Sequence, residues 1–577
     1  MGEGLLEARG GARMEDVGEE NFKILTSRSF FQPSVHFNSR FIMHDCVHDL
    51  ATFVLGDFGF RVEDNNLHKL PSKTRHLSIM MDTIDDSEQD VPEQLNGISK
   101  AKCLRTFLLG HYFDFLVLSV PFLNRLLMEE GCLRVLLLNR FWIAKLPDSI
   151  GNLKHIRYLD LSHTSIKEIP DTICTLYNLE TLLLKSCEDL TRLPIDIARL
   201  IKLRHLNLTV CPMVELPLQI FDMKDLQTLK PSFILQKEHD DSSIKNLGAF
   251  QQLHGQLGIQ GLENVVDGKN VFEAKLRDKM FITALHLCWG NFWDDDSMIE
   301  RDPMKEREIL DQLQPHTNLK ELEIWDYSGR GFSDWMGDQS FSNIVEVKVY
   351  GCNNCRSLWP LDQLPSLKAL SIEESFERVE TINWEFFSEG SSMTKPFRSL
   401  ESLKLEVMTE LKEWLFREGE VVFPTLKELW LSCCPHLEVR LLPDCFPSLT
   451  KLEVLSCRQL KLLPATHQGL IFPSLQELAI RYCREQELIL EGGLPSSLEI
   501  IDIYGCGNLK ALDNNGFRLL TSLRQLNIEF CEQLQCLPDL PSYPFELEIR
   551  RCPFLNSRCQ ENGEDWHKIK HTQLYIS

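Results

Sequence analysis

Met43-His44-Asp45 stands where an apolar extended run, Phe41-Ile42-Met43, gives way to helical spacing at Cys46, Val47, Leu50, Ala51 and Val54. An imidazole beside a helix start can donate to an anion, and the unpaired backbone N–H groups there add to the positive end. Asp45 is placed to cap that helix. The plainer reading is that His44 and Asp45 do nothing more than cap it. No G-x-x-x-x-G-K-[ST] loop accompanies His44, and Gly268-Lys269 lacks both the preceding glycine and the following hydroxyl residue. The 17 histidines are scattered, and neither a G-x-S-x-G elbow nor an H-E-x-x-H pair occurs. The chemistry on offer points to binding rather than catalysis.

The chain has 19 cysteines, and their register argues against a disulfide scaffold. Cys187, Cys211, Cys352, Cys434, Cys457, Cys483, Cys506, Cys531 and Cys552 each lie three residues after the last aliphatic of a short strand pattern. A thiol repeated at one structural position reads as a small buried side chain at a strand end, reduced as in the cytosol. Cys352-Asn353-Asn354-Cys355 is half of a zinc spacing, but no second pair follows at a suitable distance, and no metal is expected. Candidate partner contacts come from the strand positions that alternate outward. These are Trp325, Tyr350, Trp430, Arg481, Tyr504 and Arg550, side-chain types that dominate interface hot spots.

The elements carrying these residues recur. Leu133/Leu136/Leu138, Ile156/Leu159/Leu161, Leu179/Leu182/Leu184 and Leu203/Leu206/Leu208 repeat one spacing, each followed by an aliphatic-Pro pair: Leu146-Pro147, Ile169-Pro170, Leu193-Pro194, Leu216-Pro217. The pattern resumes at Leu319/Leu322/Ile324 and runs to Leu547 and Ile549. Period and L-x-x-L-x-L spacing match a leucine-rich repeat, in which each unit is one strand plus a return segment that buries its apolar face only against its neighbours. The fold class is therefore α/β, a horseshoe solenoid with a parallel sheet on its concave face. Between 230 and 318 the period is lost: Leu257 to Leu262 and Ala284 to Trp289 read as strands around a helical stretch at Val271 to Lys279, and Asp294-Asp295-Asp296 opens a solvated loop. A first ladder strand is expected near Lys73 to Ile79, and the polar tail Glu564-Asp565-Trp566-His567-Lys568 is placed to cap the array.

Ahead of the repeats, Val17, Phe22 and Leu25 have helical spacing, Ser29-Phe30-Phe31 reads as extended, and a polar turn leads to Phe41. Helix, strand, turn, strand, helix describes a winged-helix module that looks cut off on its N-terminal side. The expected organisation is a disordered tail over 1–12, a partial winged helix over 13–70 and a solenoid over 71–577, irregular at 230–318 and capped near 553–577.

Charge and hydropathy bound the partners. With 84 acidic against 61 basic residues, the net charge of -23 disfavours nucleic acid or an anionic membrane as main ligand. No secretory signal opens the chain. The longest apolar stretch, Phe115 to Leu123, is about half of the ~20 residues a membrane helix needs. A cytoplasmic protein with no integral membrane segment is expected.

Met43-His44-Asp45 within Phe41 to Ala51, the lead-in Met14 to Glu20, Leu25-Thr26-Ser27-Arg28-Ser29-Phe30-Phe31 and the closing Glu564 to Ile569 together resemble the plant intracellular nucleotide-binding leucine-rich-repeat immune receptors of the coiled-coil class. The resemblance covers nearly the whole chain. It implies that His44 reaches a phosphate of ADP when a nucleotide-binding domain is present, and that ADP and ATP belong to the full-length receptor rather than to this chain. It implies a truncated receptor lacking its coiled-coil and nucleotide-binding segments, with a pathogen effector or a host guardee as partner. A repeat-only adaptor or decoy is the alternative. A substrate-recruiting ubiquitin-ligase subunit would need an adaptor-binding helical module, whereas residues 13 to 60 resemble the winged helix.

Overall fold

The computed structural model describes residues 2–6, 13–34, 40–62, 69–81, 98, 101, 103–111, 117–118, 120–129, 131–211, 214, 216–230, 232–235, 242–266, 268–290, 301–376, 378–387, 397–415, 422–441, 446–457, 461–464, 472–484, 488–489, 494–512 and 514–576. The chain separates into two compact units, residues 1–233 with 249–254 and residues 234–248 with 255–577. The acidic run Asp294-Asp295-Asp296 lies outside the described residues.

The first unit opens with helix α1 (Met14–Ser27) and strand β1 (Phe31–Pro33), antiparallel to β2 (Phe41–Met43), then helix α2 (Asp45–Leu55). That is the helix-strand-strand-helix order expected. Phe22 closes this small module by packing on Phe31 and, edge on, Phe41. The helix cap differs from expectation. His44 holds the N-cap position and Asp45 is the first helical residue, because the extended backbone of the preceding strand persists through His44.

The repeat sheet of this unit begins one strand earlier than expected, inside the 13–70 segment. Gly59–Val62 pairs in parallel with His76–Met81, and the ladder continues in sequence order through Thr228–Lys230. The middle aliphatics fall in register, Leu136↔Leu159↔Leu182↔Leu206, and all four are fully buried. Burying each such side chain stabilises the array by about 1.5–3 kcal/mol. The aliphatic-Pro pairs do their expected work: Pro147, Pro170, Pro194 and Pro217 each precede a 3-10 turn that carries the chain back to the next strand.

Of the tail expected to be disordered, residues 2–6 are described and rest on this sheet. Thr106 Oγ1 donates to the Glu3 carboxylate, and an Arg134 guanidinium N–H donates to the Glu3 carbonyl at 3.2 Å.

In the second unit the irregular block proves to be atypical repeats. Gly255–Gln260 pairs in parallel with Ile282–Cys288, which pairs with Glu321–Trp325. The stretch from Val271 to Lys279 is 3-10 rather than α-helical. A helix the periodicity did not show, Pro303–Gln312, starts from Asp302, whose carboxylate accepts the Met304 N–H at 2.9 Å. The regular strands follow in register to Glu546–Arg550, and Gln573–Ile576 adds one strand beyond the expected last.

Ten of these strands, from Glu321–Trp325 to Glu546–Arg550, are each followed by one residue in the left-handed region: Asp326, Gly351, Glu374, Val407, Cys433, Ser456, Tyr482, Gly505, Phe530 and Arg551. The turn swings the next side chain inward, and that is where the repeated cysteines sit. Behind the sheet an aromatic column fills the unit, with Phe397, Phe423 and Phe446 stacked at 5.2 and 5.6 Å and Phe472 continuing at 6.0 Å.

Candidate recognition surface and the Met-His-Asp turn

Along the second unit's sheet, the first, third and fifth residues of each strand face away from the core, as the alternating burial shows. All six candidate contacts lie on this face, and the structure groups them rather than clustering them all. Trp325 and Tyr350 are register partners, stacked with ring centroids 3.6 Å apart and planes 12° from parallel. Trp430 stands alone among the six, in a middle strand position, with the Lys451 ammonium 5.1 Å from its ring centroid. Arg481 and Tyr504 are register partners too, but they engage others. Arg481 bridges Glu453 at 3.1 Å and Asp502 at 2.6 Å, and Tyr504 packs between Tyr482 and Phe530 at 5.1 and 5.0 Å. Arg550 pairs with Glu548 at 2.5 Å and Glu529 at 3.9 Å.

Sequence reasoning passed over two lysines here. Lys348 lies 2.9 Å from both Glu323 and Glu346, and Lys404 sits 2.9 Å from Glu373 and 2.5 Å from Glu406. Partial burial works against the Lys348 charge, but the two carboxylates outweigh it and push the ammonium above its usual range. Burial, with Glu373 and Glu323 nearby, pushes the Tyr350 phenol up to about 12, so at neutral pH it keeps its proton and offers a donor to a ligand. A signal existed for Lys348, whose register partner on the preceding strand is Glu323; Lys404 has Ser371 and Trp430 as register partners and carried none.

At the Met-His-Asp turn, His44 Nδ1 lies 2.6 Å from Asp45 Oδ1, and Asp45 Oδ1 accepts the Cys46 N–H at 2.7 Å. That hydrogen bond and the neighbouring imidazole hold the Asp45 carboxyl below its usual range. His44, Asp45 and Cys46 offer ligand atoms within 4.8 Å of one another, all exposed. Consecutive residues at a helix start produce that proximity by themselves. His44 thus stands at the helix start as an exposed imidazole paired with its neighbour.

The nine cysteines singled out by register are all buried, and five of them donate across a repeat boundary. Cys187, Cys211, Cys457, Cys506 and Cys552 send Sγ to the carbonyls of Leu161, Leu184, Leu431, Ile480 and Ile528, each the last aliphatic of the preceding strand. Ser375 does the same to Val349. Burial pushes the Cys483 thiol well above its ordinary range, so it is no nucleophile at neutral pH. Cys355 donates to the Gly329 carbonyl at 3.1 Å.

Two family models match: "Disease resistance protein Winged helix domain" over residues 1–51 and "R13L1/DRL21 LRRs" over residues 244–375. A putative disease-resistance protein of Arabidopsis thaliana is 41% identical over 78% of this chain and 32% of its own length. The putative disease resistance RPP13-like protein 1 of the same plant is 34% identical over 97% of this chain and 54% of its own length. The putative disease resistance protein RGA4 of Solanum bulbocastanum is 30% identical over 99% of this chain and 56% of its own length. The chain thus spans between about a third and just over half of these curated relatives. A solved leucine-rich-repeat protein of Leptospira interrogans aligns over 90% of this chain and 99% of its own at 17% identity and a TM-score of 0.41. The fold rests on the strand registers above and not on that likeness. No helix among the described residues is long and apolar enough to cross a membrane. From its winged-helix module through its repeats, the chain belongs to the nucleotide-binding leucine-rich-repeat (NLR) type of plant disease-resistance proteins.

Proposed function

We propose that this chain is the sensing part of a cytoplasmic plant immune receptor. The outward strand face of the second unit binds a pathogen effector, or a host protein altered by one. Through the winged-helix module, binding biases an ADP/ATP switch in the rest of the receptor. The observation that carries this reading is the placement of Trp325, Tyr350, Trp430, Arg481, Tyr504 and Arg550 on one face of a single parallel sheet, spread over six of its strands. Such side chains supply most of the energy of protein recognition. The chain is read as a non-catalytic binder.

The winged-helix module supports a switch role through its exposed apolar face. Leu50, Phe53 and Val54 on α2 are 61, 84 and 74% exposed, a grouping that marks a surface meant for another protein segment. His44 is the residue there that would meet a nucleotide phosphate. Binding regulates a switch only if the ligand prefers one of its states, so the sensor must contact its partner differently in the two. A repeat-only adaptor or decoy would use the same strand face without a nucleotide step.

The test is local cell death in leaf tissue expressing the receptor that carries this chain and challenged with pathogen. The paired change Trp430→Ala with Tyr504→Ala abolishes the response, whereas Tyr177→Ala, at an exposed position in the first unit, leaves it intact. A response that survives the paired change overturns the reading.

A further inference from the structure

On the ten strands from Glu321–Trp325 to Glu546–Arg550, the outward positions hold twelve carboxylates and five cations. Each of the five cations already has a carboxylate partner. Lys348, Lys404, Arg481 and Arg550 each lie between two carboxylates, and Lys451 is 3.3 Å from Glu477 with its ammonium over Trp430. Glu321, Glu428 and Glu546 are exposed, with no cation within 4 Å among the described residues. The face is therefore acidic in net terms, and its positive charges are already neutralised in place. Its aromatic rings, Trp325 stacked on Tyr350 and Tyr504 beside Tyr482, present π faces of the kind that attract guanidinium and ammonium groups.

We infer that the occupant of this face is a protein segment rich in arginine and lysine. Its cations meet the exposed carboxylates at Glu321, Glu428 and Glu546, and its guanidinium planes lie on the Trp325–Tyr350 stack. A polyanion is repelled from the same surface, and an acidic protein pays a like-charge penalty along the whole row. The inference rests on the reading of this face as the recognition surface and adds the chemical class of the partner. Attraction between exposed charges is screened by salt, so the contact must survive physiological ionic strength to count.

The probe is a fluorescent oligolysine peptide, with oligoglutamate as its counterpart, titrated against the full chain at physiological salt. Two triple variants are compared: Glu321→Lys, Glu428→Lys and Glu546→Lys on the face, and Glu410→Lys, Glu532→Lys and Glu561→Lys at exposed positions outside the strands. Both change the net charge equally, and circular dichroism confirms that both fold. The expected result is a loss of about tenfold or more in oligolysine affinity for the face variant and little change for the other. Equal losses place the attraction in the overall charge and overturn the inference, as does oligoglutamate binding as well as oligolysine. The leaf assay separates the two claims. If the face changes abolish the pathogen response but not oligolysine binding, the charge assignment fails and the recognition reading stands. If oligolysine binding needs the face and the response does not, the recognition reading fails.

Discussion

Glu15 Oε1 lies 2.9 Å from His205 Nε2, tying the first turn of α1 to the strand His205–Asn207 across 190 residues of sequence. Both side chains are largely covered. Burial works against the Glu15 charge, but a backbone hydrogen bond, His205 and Arg204 outweigh it and hold the carboxyl below the usual glutamate range. A lowered folded value means that the Glu15 contribution is fully present above the ordinary glutamate pKa. It is lost as pH falls through the folded value. The protection factors of the α1 amides, that is, exchange relative to the intrinsic rate at each pH, are expected to fall on acidification through that window. Glu15→Ala should raise the exchange of α1 about tenfold at neutral pH, corresponding to ~1.5 kcal/mol for a charged hydrogen bond. Unchanged α1 protection in the variant refutes the tie.

Asp565, 2% exposed, anchors the C-terminal end. It accepts from Arg558 at 2.9 Å and from the Leu537 N–H at 3.2 Å, and pairs with Lys568 at 3.1 Å. Burial disfavours its charge, but these partners outweigh the cost and keep the carboxyl below its usual range. Asp565→Ala leaves Lys568 and the Leu537 N–H without this acceptor and should cost about 3 kcal/mol. The reading is the denaturant midpoint of the parent and the variant at pH 7. The gap between them should close as pH falls through the folded value of Asp565, since its contribution is present above the ordinary aspartate pKa and lost below the depressed one.

Val210 occupies the left-handed region at φ 59° and is 39% exposed. A β-branched residue is strained there by ~1–2 kcal/mol, against an entropic cost of ~0.5–1 kcal/mol for glycine. Val210→Gly is expected to raise the urea midpoint slightly, corresponding to ~0.5–1 kcal/mol of added stability. A lowered midpoint would show that the Val210 side chain contributes more packing than strain.

Lys279 is 1% exposed, with its Nζ donating to the Leu247 carbonyl at 2.9 Å. Burial pushes its amine down to about 8. Between that value and the ordinary lysine pKa the folded state binds fewer protons than the unfolded chain, so the Lys279 contribution grows as pH rises. Stability of Lys279→Met relative to the parent should therefore fall between pH 8 and the ordinary lysine pKa, by at most about 1.4 kcal/mol per pH unit. A difference independent of pH would mean that burial does not lower the Lys279 amine below its ordinary range.

The repeats were legible because a two-residue alternation on a fixed period leaves its mark in every unit: Leu136, Leu159, Leu182 and Leu206 pair as their spacing requires. The cysteine register was legible for the same reason. Gly59–Val62 escaped because four residues joined to the sheet at its edge carry no full L-x-x-L-x-L. Gln573–Ile576 escaped because its order comes from pairing with Glu546–Arg550, a relationship outside local spacing. Pro303–Gln312 did carry a signal, Asp302 before Pro303, which the acidic loop ahead of it obscured. Of the recognition face, the residue types were readable, but which of them touch was not. Trp325 meets Tyr350, yet Arg481 turns from its register partner Tyr504 to Asp502, a choice made by charge. The left-handed exits were nearly invisible, since only Gly351 and Gly505 among the ten announce them by residue type.

Those exits give the array a common joint. Cys457 bonds to Leu431 and Cys506 to Ile480 in the same way, each after the same left-handed step. A gain or loss of one whole repeat, cut at equivalent thiols, would rejoin equivalent bonds and leave the neighbouring repeats undisturbed. The outward face, by contrast, would advance by one strand, about 4.8 Å, so that a new set of side chains stood at each position along it. Recombination between repeats can thus alter the outward face while preserving the means by which the chain holds together.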